Sequence, residues 1–150
     1  MKSSRHLAVT AFATVVVLMV AEPASAGTRY RDIVFPSATA TQGIQYGSNL
    51  KIDGSTAALY LDLYQPAGDT LASRPLVIFI HGGSLVTGER SGMDAFCTDF
   101  AKRGYVAATI DYRVGIEDPK GVRTILEALL RGIQDTKAAV RYFRSRAADY

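Results

Sequence analysis

The chain is poor in cysteine: Cys97 stands alone in 150 residues. No internal disulfide can form, although an exported protein would be free to use one. Cys97 is therefore either a buried thiol or half of a bridge to a partner elsewhere. Histidine is nearly as scarce, with His6 near the amino terminus and His81 as the only other. There is no excess of one charge, since 17 Lys and Arg face 14 Asp and Glu for a formal +3. That balance names no polyanionic partner. The local run of Arg141, Arg144 and Arg146 sits in no recognised nucleic-acid fold pattern and reads as a solvated helix face. Internal repeats and low-complexity tracts are absent.

A membrane-spanning run is also lacking. Lys2 and Arg5 precede an apolar stretch from Leu7 to Ala21, followed by Ala24, Ser25 and Ala26. This stretch is shorter than the roughly 18–20 residues a spanning helix needs, and small residues close it, so residues 1–26 read as a signal peptide. The mature protein is expected to start at Gly27, to be secreted or periplasmic, and to keep no stable membrane anchor.

What is present begins with a composition rich in Ser, Thr, Ala and Gly up to about Ser55, read as an irregular or hairpin-forming lead-in around Ile44 to Tyr46. Leu59, Leu61 and Leu63 then alternate with Tyr60, Asp62 and Tyr64, the period-two pattern of a half-buried strand. Leu76 to Ile80 is a wholly apolar run that ends in His81-Gly82-Gly83-Ser84. Such runs read as strands buried on both faces in parallel sheets, and ligands of those sheets gather at the carboxyl ends of the strands. A glycine pair there lets main-chain N–H groups approach a ligand with no Cβ in the way.

Beyond a loop from His81 to Gly92, Phe96, Phe100 and Ala101 fall at helical spacing within Met93 to Arg103, and Gly104 is a natural end for that helix. Tyr105 to Asp111 is a second apolar strand, followed by a loop from Tyr112 to Lys120. Strand, helix and strand in this order favour a right-handed crossover and parallel pairing. From Gly121 to Tyr150 the pattern is helical, with Ile125, Leu126, Leu129, Leu130 and Ile133 as one apolar stripe that Val140 and Phe143 continue. Gly132 costs about 1 kcal/mol relative to alanine in a helix interior, so two helical pieces meeting near it are expected.

Four segments together resemble the α/β-hydrolase fold, in particular secreted carboxylesterases with a His-Gly-Gly oxyanion loop. They are Leu61 to Pro66, His81-Gly82-Gly83, Arg103-Gly104 leading through the strand into Asp111-Tyr112-Arg113, and Asp135 to Arg141. The fold class implied is α/β, the N-terminal part of a hydrolase domain with a mostly parallel sheet and flanking helices, spanning residues 27–150. Ester hydrolysis passes through an oxyanion that preorganised backbone N–H donors stabilise, and a glycine loop after the third strand supplies them in this fold. By resemblance the donors are the amides of Gly83 and Ser84, with Gly82 freeing the turn. Families of this type have Gly or Ala where this chain has Ser84, which still donates its N–H but restricts the backbone.

The resemblance also implies a Ser, Asp and His triad in that chain order, its serine on a Gly-x-Ser-x-Gly elbow. No such pentapeptide occurs here; Ser84 and Ser91 both lack the flanking glycines. The triad is thus expected outside residues 27–150, and the chain to be interrupted before the elbow. His81 lies upstream of every triad position and is expected to brace its loop. Asp111, Asp135 and Asp62 are expected to hold arginine or backbone groups, Arg113 being the partner of either Asp111 or Asp135, in exposed pairs contributing only about 0–1 kcal/mol. The expected partner is a small-molecule ester, with no metal or cofactor and no nucleic acid; oligomeric state is left open. The loop from Tyr112 to Gly121 is expected to form one wall of the substrate pocket.

Two other readings stand beside this one. Gly83 to Gly88 has the spacing of a phosphate-binding P-loop, but Glu89-Arg90 follows where Lys and Ser or Thr are required. The second is a non-catalytic secreted binding domain on the same fold, for which the glycine loop is only a tight turn.

Overall fold

The computed structural model describes residues 27–150; the segment read as a signal peptide lies outside them. Two long strands come first, β1 (Ala38–Leu50) and β2 (Thr56–Pro66), followed by β3 (Leu76–Ile80), a short 3₁₀ turn (Arg90–Met93), α1 (Asp94–Lys102), β4 (Val106–Ile110) and α2 (Val122–Ser145). Among the described residues no helix is long and apolar enough to cross a membrane.

The strands form one four-stranded sheet in the order β1-β2-β4-β3. Of the two readings of the lead-in, irregular or hairpin-forming, the hairpin holds: it is a strand of 13 residues, antiparallel to β2 from Ala38 opposite Pro66 to Leu50 opposite Thr56. Its register shifts between Thr41 and Ile44 and again between Gln45 and Gly47, irregularities that suit a sheet edge. Because β2 also runs antiparallel to β4, only β3 and β4 pair in parallel. The described sheet is therefore mixed, where a mostly parallel one was expected. The strand-helix-strand unit does give the parallel pair that its order calls for.

Strand β4 is the axis of the core, with all five of its residues buried. Its period-two alternation sends Val106, Ala108 and Ile110 to one side, with Leu61, Leu63, Ala139 and Phe143, and Ala107 to the other, with Tyr64, Cys97 and Ala101. Helix α2 covers the first face and α1 the second. An arm before β1 closes the end of α1: the N–H groups of Val34 and Phe35 both donate to the Lys102 carbonyl at 3.0 Å, and that of Tyr30 to Arg103 at 2.8 Å. These satisfy carbonyls that a helix end leaves open.

Two apolar segments are more exposed than their sequence pattern alone suggests. Strand β3 is the edge of the described sheet, so Leu76 and Ile80 remain 37% and 47% exposed rather than buried on both faces. Helix α2 is continuous through Gly132, and the face it buries is Ala128, Asp135, Ala139 and Phe143. The stripe expected to pack, Ile125, Leu126, Leu129, Leu130 and Ile133, is 37–56% exposed. A Cβ at Gly132 would meet the Tyr112 ring at an ordinary contact distance, 3.5 Å from Cδ2, so close approach does not demand glycine there.

An unpaired, apolar strand edge beside an apolar helix stripe is a template for association. Residues 27–150 purified alone are therefore expected to self-associate, as sedimentation velocity would show. A monodisperse monomer that melts cooperatively would contradict this.

Candidate active site

The glycine loop leaves the carboxyl end of β3, as the sequence indicates. Its first residue, His81, is buried and stacks on Tyr112, with ring centroids 4.5 Å apart and planes 19° from parallel. The Tyr112 hydroxyl donates to the His81 carbonyl at 3.2 Å, and His81 Nδ1–H donates to the Gly82 carbonyl at 2.8 Å. His81 thus sits within the wall of the loop, bracing it.

The turn that follows is compact. The N–H groups of Val86 and Thr87 both donate to the Gly83 carbonyl, at 3.0 and 3.1 Å. Gly83 has φ of 120°, and a Cβ there would lie 1.9 Å from the Thr87 carbonyl oxygen, so no other residue fits. Gly88, with φ of 110°, is equally committed: a Cβ would come within 2.4 Å of both the Gly82 oxygen and His81 Nδ1. Between them Ser84 and Leu85 hold left-handed backbone, φ 55° and 65°, which costs roughly 1–2 kcal/mol for each non-glycine residue. Among the described residues no acceptor takes the N–H of Gly83 or Ser84. The spacing that suggested a P-loop is therefore a closed turn, with the Val86 and Thr87 amides turned inward and Glu89-Arg90 beyond it.

The carboxylates hold arginine and backbone, as expected, in a pairing the sequence left open. Asp135 takes Arg113: its oxygens accept from Nε at 2.9 Å, from a terminal guanidinium nitrogen at 2.9 Å and from the Arg113 backbone N–H at 2.9 Å. Asp135 is 0% exposed and Arg113 8%, so the expected exposed pair is a buried one. Asp111 instead takes Arg90, through its guanidinium and through its backbone N–H at 2.9 Å. Asp62, also buried, lies 2.9 Å from Arg90 Nε and accepts the Gly43 N–H at 2.7 Å.

Several functional neighbours escaped the sequence reading. Tyr112 was noted as part of a matched segment and of a loop beside the pocket but not as a brace of His81, and Arg90 only as a mismatch to a P-loop. Tyr46, whose hydroxyl donates to the Asp111 carbonyl, has its phenol pKa raised by burial and then by the charges of Asp135 and Asp111. No spacing in the sequence announces these contacts, because each joins elements distant along the chain. Beside the loop an open apolar cleft of about 440 Å³ is lined by Ile80, Leu85, Tyr112, Leu129 and Ile133. Cys97 is a free, buried thiol in this chain, pushed up to about 12 by burial, and is chemically inert there. Among the described residues no group of His, Cys, Asp and Glu is arranged to hold a metal.

Removing one member of a buried ion pair strands the other, at a typical cost of about 3–5 kcal/mol. Asp135→Ala is expected to lose that much in urea unfolding at low protein concentration, whereas Asp32→Ala, which breaks an exposed pair with Arg31, is expected to lose under about 1 kcal/mol. Equal losses from the two would contradict the burial argument.

Comparisons with known proteins agree with this architecture. Residues 61–150 match the BD-FAE family. Mouse carboxylesterase 1D is 42% identical over 69 residues, which are 45% of this chain and 12% of that protein. Rat carboxylesterase 1C is 35% identical over 101 residues, 60% of this chain and 18% of the relative. Among solved structures, esterase B of Lactobacillus rhamnosis superposes with a TM-score of 0.55 at 26% identity, covering 73% of this chain and 31% of the other. Thermogutta terrifontis esterase 2 gives 0.53 at 32% identity, covering 75% and 35%. This chain thus spans well under half the length of each of these relatives. With the match extending from β2 through α2 and esterases of α/β-hydrolase fold as its structural neighbours, the chain belongs to the BD-FAE family.

Proposed function

We propose that this chain is the N-terminal part of a secreted serine esterase, with residues 27–150 carrying the oxyanion-binding loop and the Ser, Asp and His triad residing in sequence beyond them. The observation that carries the reading is the pair of unengaged N–H groups at Gly83 and Ser84, on a loop whose shape Gly83 and Gly88 enforce at the carboxyl end of β3. Backbone donors at this place in an α/β-hydrolase fold receive negative charge as a carbonyl is attacked. The esterase and carboxylesterase relatives supply the substrate class, a carboxylic ester. Gly82, Gly83 and Ser84 are then the catalytic residues within this chain, Gly82 for backbone freedom and the next two as donors. His81 positions them and takes no proton.

The proposed export rests on the amino-terminal pattern of Lys2, Arg5, the apolar run and Ala24 to Ala26. The absence of Gly-x-Ser-x-Gly from the sequence, together with coverage of only 31–35% of the esterase structures named above, supports a nucleophile located outside this chain. That same absence favours, as a second reading, a secreted binding domain that keeps the fold without the chemistry. The coding sequence after codon 150 separates the two, because an open frame with a strand and Gly-x-Ser-x-Gly favours a serine hydrolase over a binding domain.

Hydrolysis of p-nitrophenyl acetate by purified residues 27–150 is expected to show no saturable rate above that of the His81→Ala variant. Saturable turnover well above that control would place the nucleophile inside this chain and overturn the assignment.

A further inference from the structure

We propose that Asp111 to Gly115, the five residues that leave the carboxyl end of β4, are a template that holds the donor loop in place and supports its closed form, with Asp111, Tyr112 and Gly115 as positioning residues; their relevance to catalysis rests on the function proposed above. The contacts reach the loop at its start, middle and end. Tyr112 holds His81 by the ring stack and the hydroxyl bond. The Gly115 N–H donates to the Leu85 carbonyl at 2.6 Å. Asp111 holds both the backbone N–H and the guanidinium of Arg90.

The loop needs such a template because its internal bonds close the turn without holding it against the sheet. Gly82, Gly83, Ser84 and the residues from Val86 to Glu89 are exposed, so no packed core of its own holds them. Ser84 and Leu85 occupy a backbone region that non-glycine residues rarely populate, and such conformations persist only where surrounding structure over-determines them. The internal bonds to the Gly83 carbonyl close the turn. External contacts to His81, Leu85 and Arg90 fix where the turn sits relative to the sheet.

The template is itself anchored from three sides. Asp111 N–H donates to the Tyr60 carbonyl of β2 at 2.9 Å, and Tyr46 of β1 donates to the Asp111 carbonyl. Arg113 is locked on Asp135, and Arg131 of α2 donates to the Gly115 carbonyl at 2.8 Å. Donor placement thus derives from β1, β2 and α2, through five residues that touch no reacting atom.

Hydrogen–deuterium exchange on the full chain at low concentration, read by peptide mass spectrometry, tests this without any ester. The informative amides are Val86 and Thr87, which donate to Gly83 and to no template residue. In Tyr112→Leu, which loses the stack and the hydroxyl, they are expected to exchange about five- to tenfold faster, with α1 and β4 unchanged. Tyr112→Phe keeps the stack and is expected to restore most of the protection. Unchanged exchange at Val86 and Thr87 in Tyr112→Leu, or equal acceleration across α1 and β4, overturns the proposal. Should Tyr112→Leu fail to fold, Asp111→Asn carries the test: faster exchange at Arg90 accompanied by Val86 and Thr87 supports the template, and faster exchange at Arg90 alone overturns it. Since no substrate enters, failure of the template and failure of the esterase reading are separate results.

Discussion

The buried pair between Arg113 and Asp135 ties the end of the central strand to the helix that covers it, and the geometry of the loop region follows from that tie. A fully buried strand such as β4 must deliver the chain to the surface at its carboxyl end, where ligands of this fold class gather. Here the chain emerges with a guanidinium that stays buried, met by a carboxylate from α2 with backbone and side-chain bonds together. Breaking such a pair is costly even though forming it gains little. Its value lies in direction: it fixes how the residues after β4 run, and these residues touch the glycine loop.

The loop stores unfavourable backbone geometry in a place where function would use it. Gly83 and Gly88 accept it freely and are required by close approach, but Ser84 and Leu85 do not. In the proposed oxyanion role, this geometry keeps two amides from finding partners inside the protein. Donors that are already oriented need no reorganisation when charge develops. The apolar stripe of α2 and the exposed edge of β3 lie side by side and leave apolar surface uncovered among the described residues.

Much of this was legible in the sequence, and the failures are instructive. Period-two alternation located β2, apolar runs located β3 and β4, and the glycines after Ile80 located the loop, because each is a local signal. Strand β1 was read only as an irregular or hairpin-forming lead-in, its length unseen, because an edge strand of Ala, Thr, Gln and Gly buries too little to alternate. The stripe on α2 was read correctly as apolar and wrongly as packed, since periodicity shows which residues share a face without showing what lies against it. Asp135, by contrast, is a charged residue on the buried face, which no hydrophobic pattern would place there. The pairings of Asp111 with Arg90 and of Tyr112 with His81 join separate elements, and only the folded chain brings them together. Parallel pairing was inferred from the strand-helix-strand unit and holds for β3 and β4 alone; the long hairpin makes the rest antiparallel.

The most direct test is the structure of the proposed longer chain after reaction with a phosphonate ester, whose phosphoryl oxygen stands in the place of the oxyanion. The account predicts that oxygen at about 2.7–3.1 Å from the amide nitrogens of both Gly83 and Ser84. A phosphoryl oxygen held by other donors, with these two amides facing solvent, would contradict it.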